Sequence, residues 1–562
     1  MSRRKFVSTY SLLLVSSILC IVIAGFGFEQ VLIYDPPYRH LSPAKLDAMI
    51  ERPSVTEHIL VVVVDGLRLD ASANMDSLNR IRSIGASFTS VTGLPSLSLP
   101  AATTICCGAL PEISGVTTNW YRREAPDSIF DRARATNLTT AVVAGGSWFM
   151  LFGRSIDLKE VVNGERESYD RDVFESSMML LPSRSPNLVL IHFTNLDEVA
   201  HDHGGNSPEY RSAVVLIDSY ISSIVNSLKL DEWTIVITSD HGHIDAGGHG
   251  GPEPEVTRTP LVIGGRGITH LQGGNVSQAA IAPTISVLLG VPPPLLSQYD
   301  PLIQVMSRQY VGLAIELNKA QKVEFYSAYI KDLGFSGSYI ADLDARDGDF
   351  MNVALPLRER KMAGEVNLRS PALALALVPL AIFVFRKRRS GTFAILSAAG
   401  YLLFFFAIPP LPGRPFSISA FNSVPIAQAF FALSTLEAIA ISSIITLGIQ
   451  YAMTRRGGEM GFVVSMDPFL AIFALSLIPV SAYYVMNPVI LTWALPDIEQ
   501  GLRFYLLMVD MAVLGIASGP VSYAASSALR RIYGRRYREP KPNGKATPRE
   551  FHPCSKRMET WV

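Results

Sequence analysis

The sequence predicts two parts: an α/β domain with a mostly parallel central sheet covered by helices, and an α-helical transmembrane domain. Three observations carry that reading. Apolar runs of strand length alternate with helix-like segments through the first half of the chain, the pattern of a sheet buried on both faces. Two of those runs stop abruptly, one at Asp and one at Asp-His, each followed by glycine. The final third is a series of long apolar stretches separated by short basic ones. The expected boundaries are 1–32 for an N-terminal signal anchor, 33–300 for the α/β domain, 301–369 for a helical connector, 370–531 for a five-helix transmembrane domain and 532–562 for a basic cytoplasmic tail.

Composition narrows the class. At 562 residues the chain exceeds one ordinary domain, and its 49 Lys and Arg are balanced by 49 Asp and Glu, so nothing suggests nucleic acid as a partner. Cys20, Cys106, Cys107 and Cys554 form no disulfide framework: one lies in an apolar run, two are adjacent and one is in the tail.

At the start, Arg3, Arg4 and Lys5 precede an apolar run from Tyr10 to Phe28. A cleaved signal peptide opens in the same way. This run is long enough to span a bilayer and no clear small-x-small site comes after it, so an uncleaved anchor is expected, with the basic end in the cytoplasm and the residues after Phe28 exported.

Within the α/β part, Ile59–Val64 is a continuous apolar run ending in Asp65-Gly66. Thr139–Val143 ends in Ala-Gly-Gly, and Leu188–Ile191 leads into His192-Phe-Thr-Asn-Leu-Asp197. Ser207-Pro208-Glu209 caps and starts a helix whose apolar spacing continues through Leu228. Ile235–Thr238 runs into Ser239-Asp240-His241-Gly242, and Pro260–Ile263 is a last strand. Ligands of parallel sheets bind beyond the carboxyl ends of the strands, and Asp65, Asp197, Asp240 and His241 all fall there. Carboxylate beside imidazole suits a divalent metal such as zinc, whereas a single Asp-His pair would equally be a polar loop. If Asp197-Glu-Val-Ala-His201 turns helically, its i and i+4 side chains share a face and can grip one ion. His203 and His243 read as loop or outlying residues. Glycines around His249 would let backbone and ligand approach closely. Ser98 stands just before Pro100, which can begin a helix; beside that helix's free N–H groups a metal-bound hydroxyl can act as a nucleophile, although a serine there is commonly only a cap.

These blocks resemble the alkaline phosphatase superfamily, in particular its type I phosphodiesterase branch, which includes the nucleotide pyrophosphatases and the GPI ethanolamine-phosphate transferases. The resembling segments are Val64–Arg68, Ser98–Pro100 through Gly108–Gly115, Asp197-x-x-x-His201, Ser239–Gly242, Gly248–Gly250 and Ile281–Pro293. The resemblance implies an alkaline-phosphatase-like three-layer sandwich holding two divalent ions, Zn2+ first and Mn2+ the alternative. It implies that Asp65, Ser98, Asp240 and His241 hold one ion, that Asp197, His201 and His249 hold the other, and that Asn119 helps bind phosphoryl oxygens. Ser98 stands where the phosphodiesterases usually have Thr, and Ser96 is a competing hydroxyl. The sulfatase pattern fails, because Ala102 stands where that branch needs Arg.

Apolar stretches resume at about Pro371–Phe385, Gly391–Ile408, Val424–Met453, Phe462–Met486 and Leu502–Leu529, six spans with the anchor. Arg386–Arg389, Arg455-Arg456 and the cluster Arg530 to Arg538 come after alternate spans, while the other loops carry Arg414 and Arg503 and little else. A buried soluble helical domain does not predict that alternation. The positive-inside rule then puts both termini in the cytoplasm and the α/β domain outside, at the cell membrane of a prokaryote or in the ER lumen of a eukaryote. Glu437 and Asp510 fall within predicted spans, where acids are costly. Pro488–Gln500, with Trp493, would lie at the interface where a lipid enters. The expected activity is a membrane-anchored phosphotransferase on lipid or glycolipid phosphate esters, passing through phospho-serine. The alternatives are a phosphodiesterase hydrolysing diesters and a membrane scaffold without catalysis.

Overall fold

The computed structural model describes residues 3–32, 35–36, 39, 41–47, 53–166, 168–335, 350–386, 390–407, 416–421, scattered positions from 425 to 451, 466–487 and 494–534. Its centre is one eight-stranded sheet. The strands are β1 (His58–Val64), β2 (Ala86–Val91), β3 (Thr140–Ala144), β4 (Leu158–Val161), β5 (Leu188–Phe193), β6 (Trp233–Thr238), β7 (Arg258–Gly265) and β8 (Leu271–Ser277). Their order across the sheet is β4-β3-β5-β1-β6-β7-β2-β8. Only β7 runs antiparallel to its neighbours. The mixed α/β sheet expected from the alternating pattern is therefore present, with Pro260–Ile263 as its one reversed strand.

Alternation along β1 explains the layering. Ile59, Val61 and Val63 face one core, and Leu60, Val62 and Val64 face the other. One face is covered by helices Ser98–Cys107 and Ile281–Leu288 and by Arg308–Asp332, whose Leu317, Phe325, Tyr326 and Tyr329 are fully buried. The charged segment expected as a connector thus begins with a helix built into the α/β core. The other face carries Tyr169–Arg184 and Pro208–Asn226. Ser207 caps the latter by accepting the Tyr210 N–H at 3.0 Å. The central neighbours β5, β1 and β6 place the residues just after Phe193, Val64 and Thr238 side by side at one edge.

Four helices among the described residues are long and apolar enough to cross a membrane: Val7–Gly27, Ala354–Arg386, Asp467–Met486 and Ile498–Ala524. Helix Ser390–Ala407 is apolar as well, with a shorter apolar stretch at Ala394–Ala407. The expected short span Pro371–Phe385 reaches bilayer length because helical residues on its amino side extend it. The expected span Val424–Met453 lies largely outside the described residues, as do Lys387–Arg389, Arg455-Arg456, Arg535 to Arg538, Pro488–Trp493 and the tail. The first helix packs against the last, where Tyr10 Oη donates to the Ile516 carbonyl at 3.0 Å. Its other side presents Leu12, Val15, Ile18 and Val22 outward, as a lipid-facing helix does. Asp510 is buried between helices and accepts from Tyr401 Oη at 3.4 Å, whereas Glu437 is exposed.

Candidate metal centre

Each cluster residue is delivered by a strand end. Asp65 follows β1, Asp240 and His241 follow β6, and Asp197 and His201 sit on the helix Asn195–His203 that follows β5. The i, i+4 spacing does what it predicts: His201 Nε2 lies 3.4 Å from Asp197 Oδ1. Three groups form among the described residues: Asp65, Asp240 and His241; Asp197, His241 and His249; and Asp197, His201 and His243. His203 is exposed.

The tautomers show what the groups are arranged for. His241 Nδ1–H donates to the Gly242 carbonyl at 3.2 Å, so Nε2 presents a lone pair. That lone pair accepts from Ser98 Oγ at 3.3 Å and faces the oxygens Asp65 Oδ1 and Asp240 Oδ2, each at 3.4 Å. His249 likewise donates Nδ1–H to the Ser96 carbonyl at 3.0 Å and turns Nε2 toward Asp197 Oδ1 at 3.6 Å. Acceptors facing acceptors repel unless a cation lies between them. Four ligands on a tetrahedron with arms of ~2.0–2.1 Å stand about 3.3 Å apart, close to these separations. Asp65 Oδ1 is moreover buried with no hydrogen-bond partner. The residues present fit divalent metal.

Charge points the same way. Burial, reinforced by Asp240 and Asp197, holds the Asp65 carboxyl well above its usual range, and burial lifts Asp240 to about 7. Burial pushes His241 far down and His249 down to about 4. Burial also opposes ionisation of Asp197, but hydrogen bonds from His201 and His243 and the nearby imidazoles overcome it and hold that carboxyl well below normal. Asp65, Asp240, His241 and His249, each forced toward neutrality beside an ionised Asp197, form a site short of positive charge.

Two serines compete in the sequence and separate in space. Ser96 is buried, donating from Oγ to the Gly251 carbonyl at 2.8 Å and accepting the Gly250 N–H at 3.1 Å. Ser98 lines a cavity of about 760 Å³ together with Asp65, Asp197, Asp240 and Asn119. Ser98 is the first residue of helix Ser98–Cys107, with Leu97 before it, so it is not the cap. The expected row of free helix N–H groups is also absent from that end. The Leu99 N–H donates to Asn119 Oδ1 at 3.0 Å, Pro100 has no N–H, and the Ala101 N–H bonds the Leu97 carbonyl. Asn119 therefore spends its oxygen on the helix and keeps its NH2 for the cavity.

Other lining residues escape sequence reasoning. His192 sits inside β5, where a lone histidine in an apolar run reads as core. Its Nε2 lies 3.4 Å from Asp65 Oδ2, its ring packs on Trp148, and burial lowers it to about 3. Arg122, Arg166, Tyr169 and Glu198 line the same cavity and belong to no block with a readable spacing.

The family model described as type I phosphodiesterase / nucleotide pyrophosphatase matches residues 152–251, the segment that holds Asp197, His201, Asp240, His241 and His249. The chain carries a type I phosphodiesterase / nucleotide pyrophosphatase domain. It has homologues among the GPI ethanolamine phosphate transferases. GPI ethanolamine phosphate transferase 1 of Homo sapiens is 26% identical over 301 residues, covering 44% of this chain and 32% of that protein. GPI ethanolamine phosphate transferase 2 of Schizosaccharomyces pombe is 26% identical over 316 residues, covering 48% of this chain and 41% of that protein. The chain thus spans about a third to two fifths of the length of these relatives. Among solved structures, murine ectonucleotide pyrophosphatase / phosphodiesterase 5 is 13% identical, with a TM-score of 0.37 over 42% of this chain and 96% of that one.

Proposed function

We propose that this protein is a membrane-anchored, metal-dependent phosphotransferase that moves a phosphoethanolamine-type group from a lipid-linked phosphate ester to an acceptor hydroxyl at the non-cytoplasmic face. The observation that carries the proposal is Ser98 Oγ, on the cavity and 3.3 Å from the Nε2 lone pair of His241. Asp65, Ser98, Asp240 and His241 would hold one divalent ion, and Asp197, His201 and His249 the other, with Zn2+ favoured by the His/Asp donor set. Bound there, the ions supply a lowered hydroxyl pKa and positive charge against the phosphoryl oxygens. Ser98 Oγ attacks phosphorus in line with the ester oxygen; the Oγ–P bond forms as the P–O bond to the lipid breaks. Asn119 donates its NH2 to a phosphoryl oxygen. The acceptor hydroxyl then attacks the phospho-serine and frees Ser98. On this reading residues 33–300, with helix Arg308–Asp332, make up the catalytic domain.

Two features support a lipid substrate: the names of the homologues and the set of apolar helices, since a soluble substrate needs only one anchor. With water as acceptor the same steps hydrolyse a diester, a second reading favoured by the family model. Mass spectrometry of membrane lipids from cells expressing the wild-type chain or Ser98→Ala separates the readings. A phosphoethanolamine-bearing product found only with wild type supports the transferase. Unchanged lipids, with cleavage of a chromogenic phosphodiester in detergent, would leave the phosphodiesterase.

A further inference from the structure

The loop that carries His249 is held from two sides, and one of them is outside the α/β fold. On the inner side, Ser96 takes the Gly250 N–H, donates to the Gly251 carbonyl and receives His249 Nδ1–H on its own carbonyl. On the outer side lies the segment 416–421, which belongs to the apolar C-terminal part of the chain. Ser419 Oγ accepts the Gly251 N–H at 2.9 Å and donates to Glu253 Oε2 at 2.7 Å, and Ser419 is fully buried. Ile418 lies against Gly250, where a Cβ would come within 2.9 Å of Ile418 Cγ2 and where φ is +110°. The glycines after His249 thus admit this segment: the close approach that they permit is to the side chains of Ser417, Ile418 and Ser419. The segment is itself pinned. Ser417 Oγ accepts the Ser419 N–H at 3.1 Å, and the Arg503 guanidinium, on helix Ile498–Gly534, stacks over the Phe416 ring at 4.4 Å.

We infer that Ser419 is a positioning residue for the His249 side of the metal centre, so that the apolar C-terminal part of the chain completes the site. The inference rests on the metal-binding part of the proposed function. The Ser419 hydroxyl fixes the Gly251 amide, which fixes the loop against Ser96, and Ser96 fixes the tautomer and direction of the His249 ring. Outlying partners of metal ligands set metal affinity in this way, at about 10- to 100-fold per lost partner. The path also ties the metal centre to the helix that carries Arg503.

The test uses the 562-residue chain in detergent, stripped with chelator and titrated with Zn2+, with bound zinc read by elemental analysis after dialysis. Wild type should bind two ions. Ser419→Ala should keep one at wild-type affinity and bind the other about 10- to 100-fold more weakly. Glu253→Gln, which retains an oxygen for the Ser419 hydroxyl, should stay near wild type. His249→Ala should lose the same ion, and adding Ser419→Ala to it should cause no further loss. If Ser419→Ala does not fold, Arg503→Lys, which removes the flat guanidinium from Phe416, should weaken the same ion. Two ions bound at wild-type affinity in Ser419→Ala, or in Arg503→Lys where it stands in, would overturn the inference and leave the proposed function intact. Equal weakening of both ions would overturn the assignment to His249. A wild-type chain that binds no zinc would overturn both.

Discussion

His243 Nε2 lies 2.8 Å from Asp197 Oδ1, while Nδ1 of the same ring accepts the Gly248 N–H at 3.0 Å. The amide fixes the tautomer, so Nε2 carries the proton and donates it to the carboxylate. Both ring nitrogens are therefore spent, and His243 turns Asp197 toward the site without a lone pair to offer a metal. His243→Ala should then weaken the ion at Asp197 by about 10- to 100-fold, whereas His249→Ala should abolish it. Competition with a chromophoric zinc chelator measures both. Equal loss in the two variants would make His243 a ligand.

The acids of the centre predict an unusual pH response in the metal-free protein. Burial raises Asp240 to about 7, above an unfolded value near 3.8. Between those values the folded state holds a proton that the unfolded state has lost. This group's contribution to stability therefore falls as pH rises from about 4 to about 7. Asp240→Asn removes the charge and keeps an oxygen for the Gly66 and His241 amides, which now bond Asp240 Oδ1. In chelator, its Tm relative to wild type should climb across that window and level off above it. In saturating Zn2+ the order should reverse, because the carboxylate then has its cation. Melting curves at about pH 4, 5.5 and 7 in both conditions decide the matter; a difference independent of pH in chelator would refute the buried, uncompensated Asp240.

Much of the centre was legible because strand ends announce themselves. Asp65 and Asp240-His241 come after unbroken apolar runs, and a parallel sheet leaves its ligands at those ends. Asp197 and His201 were legible through helical periodicity. What stayed hidden depends on long-range pairing. Strands β2, β4 and β8 lack a continuous apolar run; β8, Leu271-Gln-Gly-Gly-Asn-Val-Ser277, is an exposed edge strand with almost no apolar signal. Ser96 and Ser98 differ only in what lies across from them, and Ser96 is occupied by Gly250 and Gly251, more than 150 residues away in the chain. Asn119 bonding the Leu99 amide, and Ser419 bonding Gly251, likewise leave no trace in local spacing.

Basic residues predict the orientation. With the α/β domain outside, a cysteine introduced as Ala135→Cys, at the exposed end of helix Ile129–Ala135, should react with an impermeant thiol reagent applied to intact cells or sealed vesicles of the matching orientation. Cys106 and Cys107 are buried and stay silent. One introduced as Lys541→Cys should be protected until the membrane is opened, with Cys554→Ser as background. Labelling of Lys541→Cys in intact cells, with Ala135→Cys protected, would invert the topology.

The nucleophile can be assigned by three substitutions. Ser98 Oγ faces the cavity and bonds no amide of its own helix, so Ser98→Ala should leave Tm close to that of wild type. The one hydrogen bond lost, to His241 Nε2 at 3.3 Å, is worth about 0.5–1.5 kcal/mol. The same change removes the atom that attacks phosphorus, so turnover should fall by several orders of magnitude. Ser98→Thr keeps the hydroxyl and adds a methyl toward an open cavity, so substantial activity should remain. Ser96→Ala should do the opposite of Ser98→Ala. It strips partners from Gly250 N–H and the Gly251 carbonyl, so it should cost about 1–3 kcal/mol of stability and loosen His249, yet still allow phospho-enzyme to form. Acid quenching during turnover, followed by peptide mass spectrometry, should place phosphate on Ser98 in wild type and in Ser96→Ala and on neither serine in Ser98→Ala. Phosphate recovered on Ser96 would move the nucleophile to the residue that this structure holds in hydrogen bonds to the loop beyond His249.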